Sequence, residues 1–398
     1  MIPTSLVMVL GWAQLVNWGV TYYLIGVFGA YMAADLGWTP ELVYSGFSLA
    51  LLVMGVTSSA TGKMIDKRGG RFTFTLGSFL SACGCLLIAS TWNLSVYVAG
   101  WCLLGFGMRL TLYDAAFATL ARIGGLSARQ SMAQITLLGG LASTVFWPIG
   151  SLLAEALGWR GALCVYACFA LGTLPLYLAI PGRDDAPEVP RLEKSLELQT
   201  TRHPSELRAK ILFGVVVALT SFLNSGMSSH MIPILAGLGL GTGGAVSAAM
   251  FRGIGQTSAR LCDVLFGRKL HPLTLNIIST ATLPMAFCIL FIASDWGAAA
   301  LFAFGYGAGN GLTTITRGTL PLVLFNPSGY GALTGRLIAP SFVLSAAAPT
   351  AFAYITSMYG TTGAITVCVL LSVGALTAAL LLSHFCRNHP ESQAGERC

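Results

Sequence analysis

The 398-residue sequence predicts an all-α membrane protein, with twelve transmembrane helices arranged as two pseudo-symmetric six-helix bundles. Composition is the first reason. Hydrophobic residues make up 55% of the chain and charged residues only 9%, with a mean hydropathy of +0.74. A soluble protein of this length needs far more charge to cover its surface. The second reason is the recurrence of apolar runs of about 20 residues, the length that crosses a hydrocarbon core as a helix. The third is an internal repeat, in which motifs of the first half return roughly 200 residues later.

The spans fall in order at roughly 5–31, 41–61, 72–90, 95–121, 130–155, 159–180, 209–236, 242–264, 273–294, 297–322, 332–357 and 361–385. The first is expected to be retained as a helix, because neither a basic leader nor a small-residue cleavage site accompanies it. Between the second and third lies GKMIDKRGGR (62–71), where Lys63, Asp66, Lys67, Arg68 and Arg71 crowd around Gly62, Gly69 and Gly70. Charge that dense stays out of hydrocarbon and marks a tight loop at a membrane surface. Residues 182–208 contain RDDAPEVPRLEKSLELQTTRHPSEL, which is too polar to span and reads as a cytoplasmic linker with a short surface helix at 190–199. The chain therefore divides into an N-terminal bundle (1–181), the linker (182–208) and a C-terminal bundle (209–398).

The net charge of +7 is spread over short loops. With both termini on the cytoplasmic side, nearly all Lys and Arg fall on cytoplasmic segments. The outside carries only Arg160, and Arg109, Arg252 and Arg317 remain within spans. This is the positive-inside pattern, and it accounts for the basic residues without a nucleic-acid partner. The ten cysteines form no pattern with zinc-ligand spacing. Cys83 and Cys85 lie on different faces of a helix and Cys164 and Cys168 share one. Both pairs are read as small buried thiols, with contact to a soft metal as the alternative.

The repeat is specific in its offsets. GKMIDKRGGR (62–71) aligns without a gap to ARLCDVLFGR (259–268), so that Asp66 meets Asp263, Gly70 meets Gly267 and Arg71 meets Arg268. GFGMRLT (105–111) aligns with GAGNGLT (307–313), Pro148 with Pro349, and Gly158 and Gly161 with Gly360 and Gly363. The 62–71 segment also fits the pattern Gly-x-x-x-Asp-Arg/Lys-x-Gly-x-Arg through Gly62, Asp66, Gly69 (or Gly70) and Arg71. In this the chain resembles the major facilitator superfamily, whose members carry that loop between their second and third helices. Residues 26–55 and HMIPILAGLGL (230–240) resemble the oxalate/monocarboxylate-type branch. LLGGLASTVFWPIG (137–150), GQTSARLCDVLFGRKLHP (255–272), TITRGTLPLVLF (314–325) and GYGALTGR (329–336) resemble bacterial permeases that include arsenite-efflux members. The fourth helix departs from the monocarboxylate-type pattern at Arg109 and Asp114. The resemblance implies alternating access around a central cavity, in a multi-pass protein of a bacterial inner membrane. It also implies a cytoplasmic gate built from Gly62, Asp66 and Arg71 with their counterparts Arg260, Asp263 and Arg268. Plain charge anchoring at the surface is the alternative role for these residues.

Ionisable groups at bilayer depth are costly unless paired or hydrated, so each is a candidate for function. Asp114 is the one acid well inside a span; it is read either as a proton carrier or as a member of a structural ion pair. Arg109 precedes it by five residues, about 140° around a continuous helix, so the two are expected to serve different neighbours. Arg252, near the middle of the eighth span, keeps its charge and offers a planar fork that suits an oxyanion. Substrate binding and structural pairing both remain open for it. Arg317 lies nearer the cytoplasmic end of its span, where snorkelling or a gate contact fits. His230 is a candidate for proton coupling or for helix packing. Gln14, Asn17, Gln134, Asn224 and Asn310 are mid-span amides that either line the cavity or bond between helices.

These features favour a secondary transporter of a small, anionic solute, coupled to protons and acting as a monomer in the lipid bilayer. Three arginines within spans against one acid point to a negatively charged guest. Efflux of arsenite, another metalloid or a drug-like compound is the competing reading; arsenious acid is neutral and would favour thiols. A sensor or scaffold is not expected, because no soluble signalling domain is appended. No nucleophile–base arrangement, metal motif or GxxxxGK[ST] loop occurs, so neither an enzyme nor a cofactor is expected.

Overall fold

The computed structural model describes residues 2–124, 128–181, 204–266, 270–292, 295–324 and 330–388, and among them there are helices and turns but no strand. Helix α1 (Thr4–Asn17) passes through a π turn at Trp18–Tyr22 into α2 (Leu24–Leu36). Gly37 ends α2 in the left-handed region with φ 65°, a conformation that a residue without Cβ adopts at little cost. Helix α3 (Pro40–Val56) starts at a cap in which the Thr39 hydroxyl accepts the Leu42 N–H at 3.4 Å, with proline in the first turn. Helix α4 (Ser58–Ala89) contains the charged segment and is broken within it at Gly69, φ 82° and ψ 168°. The Asn93 side chain caps α5 (Leu94–Thr111) at the Val96 N–H, 3.0 Å. Leu112 is extended, and α6 (Tyr113–Gly124) follows it.

Helices α7 (Ala128–Gly140) and α8 (Ala142–Gly172) come next, α8 broken at Gly158, and a 3-10 turn occupies Leu174–Ala179. Helix α9 (Pro204–Leu235) ends in a π turn at Ala236–Leu240, followed by α10 (Gly241–Ala249) and α11 (Phe251–Phe266). Helices α12 (Pro272–Ile292), α13 (Trp296–Leu324) and α14 (Tyr330–Asn388) complete the chain, with α14 broken at Gly360. Among the described residues, six segments are long and apolar enough to cross a membrane: Lys67–Ala89, Leu94–Leu120, Gln134–Ala179, Leu207–Asp263, Pro272–Ile292 and Pro340–Cys386. The surface helix expected at 190–199 lies outside the described residues.

The burial pattern is that of a protein dissolved in lipid. Large apolar side chains such as Leu152, Met285, Ile292 and Leu370 face outward, whereas Gln14, Asn17, Thr21 and Arg252 are fully enclosed. One continuous apolar core runs through both halves of the chain, bringing Tyr22, Tyr23 and Trp147 together with Met227, Tyr306 and Phe352. Small residues let helix backbones meet. A Cβ on Gly307 would collide with the Arg252 carbonyl oxygen, and one on Gly255 with the Phe304 carbonyl, so α11 and α13 lie backbone to backbone. Between the halves, the Ser48 and Thr350 hydroxyls bond at 2.9 Å and the Thr144 hydroxyl donates to the Met250 carbonyl at 2.6 Å.

Two expectations are corrected here. Cys164 and Cys168 are exposed on the outer surface of α8 rather than buried, because the face they share is turned away from the core. Arg109 and Asp114 form an ion pair instead of diverging. Their separation of about 140° assumed a continuous helix, and the extended residue Leu112 ends α5 between them and lets α6 begin on a new axis.

Candidate functional site

The site is built around Arg252, the second residue of α11, which is completely buried. Its Nη2 donates to the Asn224 Oδ1 at 2.7 Å and to the Ser228 hydroxyl at 2.9 Å, two residues one turn apart on α9. Three aromatic faces surround the guanidinium: Tyr23 at 5.3 Å, Tyr306 at 5.4 Å and Trp147 at 5.7 Å from ring centroid to Cζ. Two of those rings, and Tyr22 beside them, are held by hydrogen bonds. The Tyr306 hydroxyl donates to the Leu223 carbonyl at 3.1 Å, the Trp147 indole to the Tyr23 carbonyl at 3.4 Å, and the Asn224 amide to the Tyr22 hydroxyl at 3.5 Å.

Among the described residues, Arg252 Nε and Nη1 have no hydrogen-bond partner and no carboxylate forms an ion pair with it. Withdrawing such a cation from water costs several kcal/mol. Each favourable ring face returns only about 0.5–2 kcal/mol. The protein therefore holds a permanent positive charge, with donors to spare, against Asn224 and Ser228 of α9 and inside rings from α8 (Trp147), α13 (Tyr306) and Tyr23, the residue between the π turn and α2. An anion with an apolar body satisfies both the spare donors and the rings.

The other sequence candidates fall into separate groups. Arg109 bonds Asp114 through Nη1 and the Ser58 hydroxyl through Nη2 at 2.7 Å. Asp114 keeps 53% of its side chain accessible. Arg317 lies over the Phe342 ring at 5.9 Å. Gln134 is exposed and Asn310 is buried on α13. Asn17 turns away from Arg252: its amide donates to the Tyr177 hydroxyl at 3.0 Å, which also bonds Ser78 at 2.9 Å, so its network stays within the first half. Gln14 likewise donates to the Thr111 carbonyl at 2.7 Å. His230 Nε2 is 2.8 Å from the Pro349 carbonyl, so that nitrogen carries the proton. Its ring packs on Tyr44 of α3 at 4.0 Å and lies 6.0 Å from Phe352.

Of the expected gate residues, Arg71 donates to the Ile180 and Leu178 carbonyls, both at 2.9 Å, and so ties α4 to the turn that ends the same half. Arg260 is buried and spans the halves, with Nη1 donating to the Thr136 carbonyl of α7 at 2.6 Å. Asp263 is partly buried on α11, and Gly62 faces open space. The Asp66 side chain and all of Arg268 lie outside the described residues.

Arg160 does more than mark topology. It pairs with Asp35, donates to the Thr91 carbonyl at 2.9 Å and lies over the Trp92 ring at 4.0 Å, while the Trp159 indole also donates to Asp35 at 3.1 Å. Hydrogen bonding from Arg160 holds the Asp35 carboxyl below its usual range. Among the described residues, no group of three or more His, Cys, Asp or Glu side chains is placed to hold a metal ion.

Sequence reasoning ranked polar residues and missed the aromatic enclosure and Ser228. The available signals were the adjacent Tyr22 and Tyr23 in mid-span and Ser228 one turn after Asn224.

Residues 10–316 match the family model described as the Major Facilitator Superfamily. Human monocarboxylate transporter 11 is 27% identical over 346 residues, covering 83% of this chain and 65% of that protein. Plastidic glucose transporter 4 of Arabidopsis thaliana is 29% identical over 221 residues, covering 52% of this chain and 38% of that protein. The purine ribonucleoside efflux pump NepI of Escherichia coli is 22% identical over 213 residues, or 52% of each chain. The chain thus spans less than two thirds of the length of these relatives. A solved structure of a mutant nucleoside transporter NupG superposes with a TM-score of 0.72 at 14% identity, over 96% of this chain and 98% of that one. A structure concerned with substrate recognition in proton dependent oligopeptide transporters gives 0.74 at 13% identity, over 98% and 99%. At such identities the likeness is one of fold.

Proposed function

The chain belongs to the major facilitator superfamily, and from that premise we propose that it carries a small organic anion across a bacterial inner membrane by alternating access, using a proton gradient. The observation that carries this reading is Arg252: a buried, permanently charged side chain with two nitrogens lacking acceptors, enclosed by Tyr23, Trp147 and Tyr306. Similarity to a monocarboxylate transporter over most of the chain supports the same guest class. The exposed positions of Cys164, Cys168, Cys262 and Cys288 give no support to a thiol-lined metalloid path.

Twelve crossings in two bundles, 1–181 and 209–398, fit the helix breaks. The longest apolar segments run to 46, 57 and 47 residues, against about 20 needed to cross. Each contains glycine at positive φ, namely Gly158, Gly239 with Gly241, and Gly360. The bundles move against each other around a site near the bilayer midplane in this reading. Asp114, half accessible and paired to Arg109, is its proton carrier.

The test is uptake into proteoliposomes of purified protein, with a panel of mono- and dicarboxylates, nucleosides, a hexose and arsenite. Uptake of one or more carboxylates, accelerated by an inward proton gradient, is the expected result. Uptake confined to neutral solutes would overturn the anion reading.

A further inference from the structure

A groove of about 330 Å³ opens on the outside of the molecule between the start of α9 and the end of α14, lined by Arg208, Ile211, Leu212, Leu381, His384 and Phe385. Its position is informative. The candidate span on α9 begins at Leu207 and the one on α14 ends at Cys386, so Arg208 and His384 stand where hydrocarbon gives way to headgroups. Ile211 and Leu381 are 56% and 52% exposed. Behind the groove, Phe213, Val217, Leu382 and Cys386 pack into a tight cluster, which makes it a rigid feature of the two helices. Arg208 has no hydrogen-bond or ion-pair partner among the described residues.

We propose that this groove binds one anionic phospholipid, its phosphate between Arg208 and His384 and an acyl chain along Ile211, Leu212, Leu381 and Phe385. An apolar trough beside an exposed, unpartnered arginine at headgroup depth matches both parts of such a molecule. Arginine is suited to phosphate by its planar array of donors. The site is remote from Arg252 and does not depend on which solute is carried.

Native mass spectrometry of the full chain in detergent, with equimolar phosphatidylglycerol and phosphatidylcholine, tests the proposal. The wild type should retain phosphatidylglycerol at least threefold over phosphatidylcholine, and phosphatidylglycerol should raise its melting temperature where inorganic phosphate does not. Arg208→Gln should remove the preference, and Leu381→Trp should fill the trough and reduce retention of both lipids. If Arg208→Gln does not yield folded protein, His384→Gln tests the headgroup contact in its place. Equal retention of the two lipids by the wild type would overturn the proposal. So would an unchanged preference in the headgroup variant, a thermal shift with phosphate alone, or a dimer in place of lipid adducts.

Discussion

In the proposed function Arg252 is the residue on which recognition turns, and its geometry separates charge from shape. Nη2 is committed to Asn224 and Ser228, which leaves Nε and Nη1 for a guest. Lysine keeps the charge but replaces the planar array with three donors on a compact head. An ammonium at this position cannot reach Asn224, Ser228 and an anion in the same arrangement. Arg252→Lys should therefore weaken carboxylate binding by at least tenfold, about 1.4 kcal/mol, in a protein that still purifies folded. A titration followed by intrinsic tryptophan fluorescence, with Trp147 close to the site, reads this directly. Equal affinity of both proteins would remove Arg252 from the site. Arg252 was legible in the sequence because a permanent charge in an apolar run has few explanations. Its partner Asn224 was legible for the same reason. The rings were not, since a tyrosine or tryptophan in a span is as readily packing as lining, and only the fold brings Tyr23, Trp147 and Tyr306 to one point.

At the scale of elements, glycine decides where helices touch and where they stop. Gly307 on α13 faces the Arg252 carbonyl so closely that a Cβ there forces α11 and α13 apart. Because that carbonyl belongs to Arg252, the displacement reaches the guanidinium. Gly307→Ala should lower affinity by tenfold or more without adding or removing a polar group. Gly318→Ala on the same helix, where a Cβ meets nothing within 4 Å, should leave it unchanged. Equal binding by both variants and the wild type would show that the α11–α13 contact does not position Arg252. The sequence carried part of this level of order. Gly158 and Gly360, matched by the repeat, both adopt positive φ, at 68° and 66°, and the same spacing relates Gly37 to Gly239. The break at Leu112 was invisible, because leucine is a good helix former and nothing in GFGMRLTLYDAAF announces an extended residue. That single break accounts for the mistaken geometry of Arg109 and Asp114.

For the whole molecule, the question is how an energy source reaches the solute. In the proposed reading that source is a proton gradient, and a proton needs a group that changes charge within the moving parts. His230 is a weaker candidate than it was in sequence: its Nε2 proton is engaged by the Pro349 carbonyl and its ring is stacked against Tyr44, a contact between halves that suits a latch. Asp114 has the better placement. It is accessible, and its partner Arg109 also holds Ser58, so one proton on Asp114 releases Arg109 from the carboxylate while leaving it tied to the start of α4. Protonation thus changes which helices are bound to which, and that is the form coupling takes in a protein with alternative packings. Asp114→Asn mimics the protonated state permanently. It should abolish uphill accumulation driven by an imposed pH gradient while preserving exchange of internal for external solute, since exchange requires no net proton movement. Arg109→Gln should also uncouple, because it removes the group whose release matters. Proteoliposome uptake with and without a pH gradient, beside an exchange assay, distinguishes the outcomes. Gradient-driven accumulation that survives Asp114→Asn would dismiss this carboxylate as the carrier.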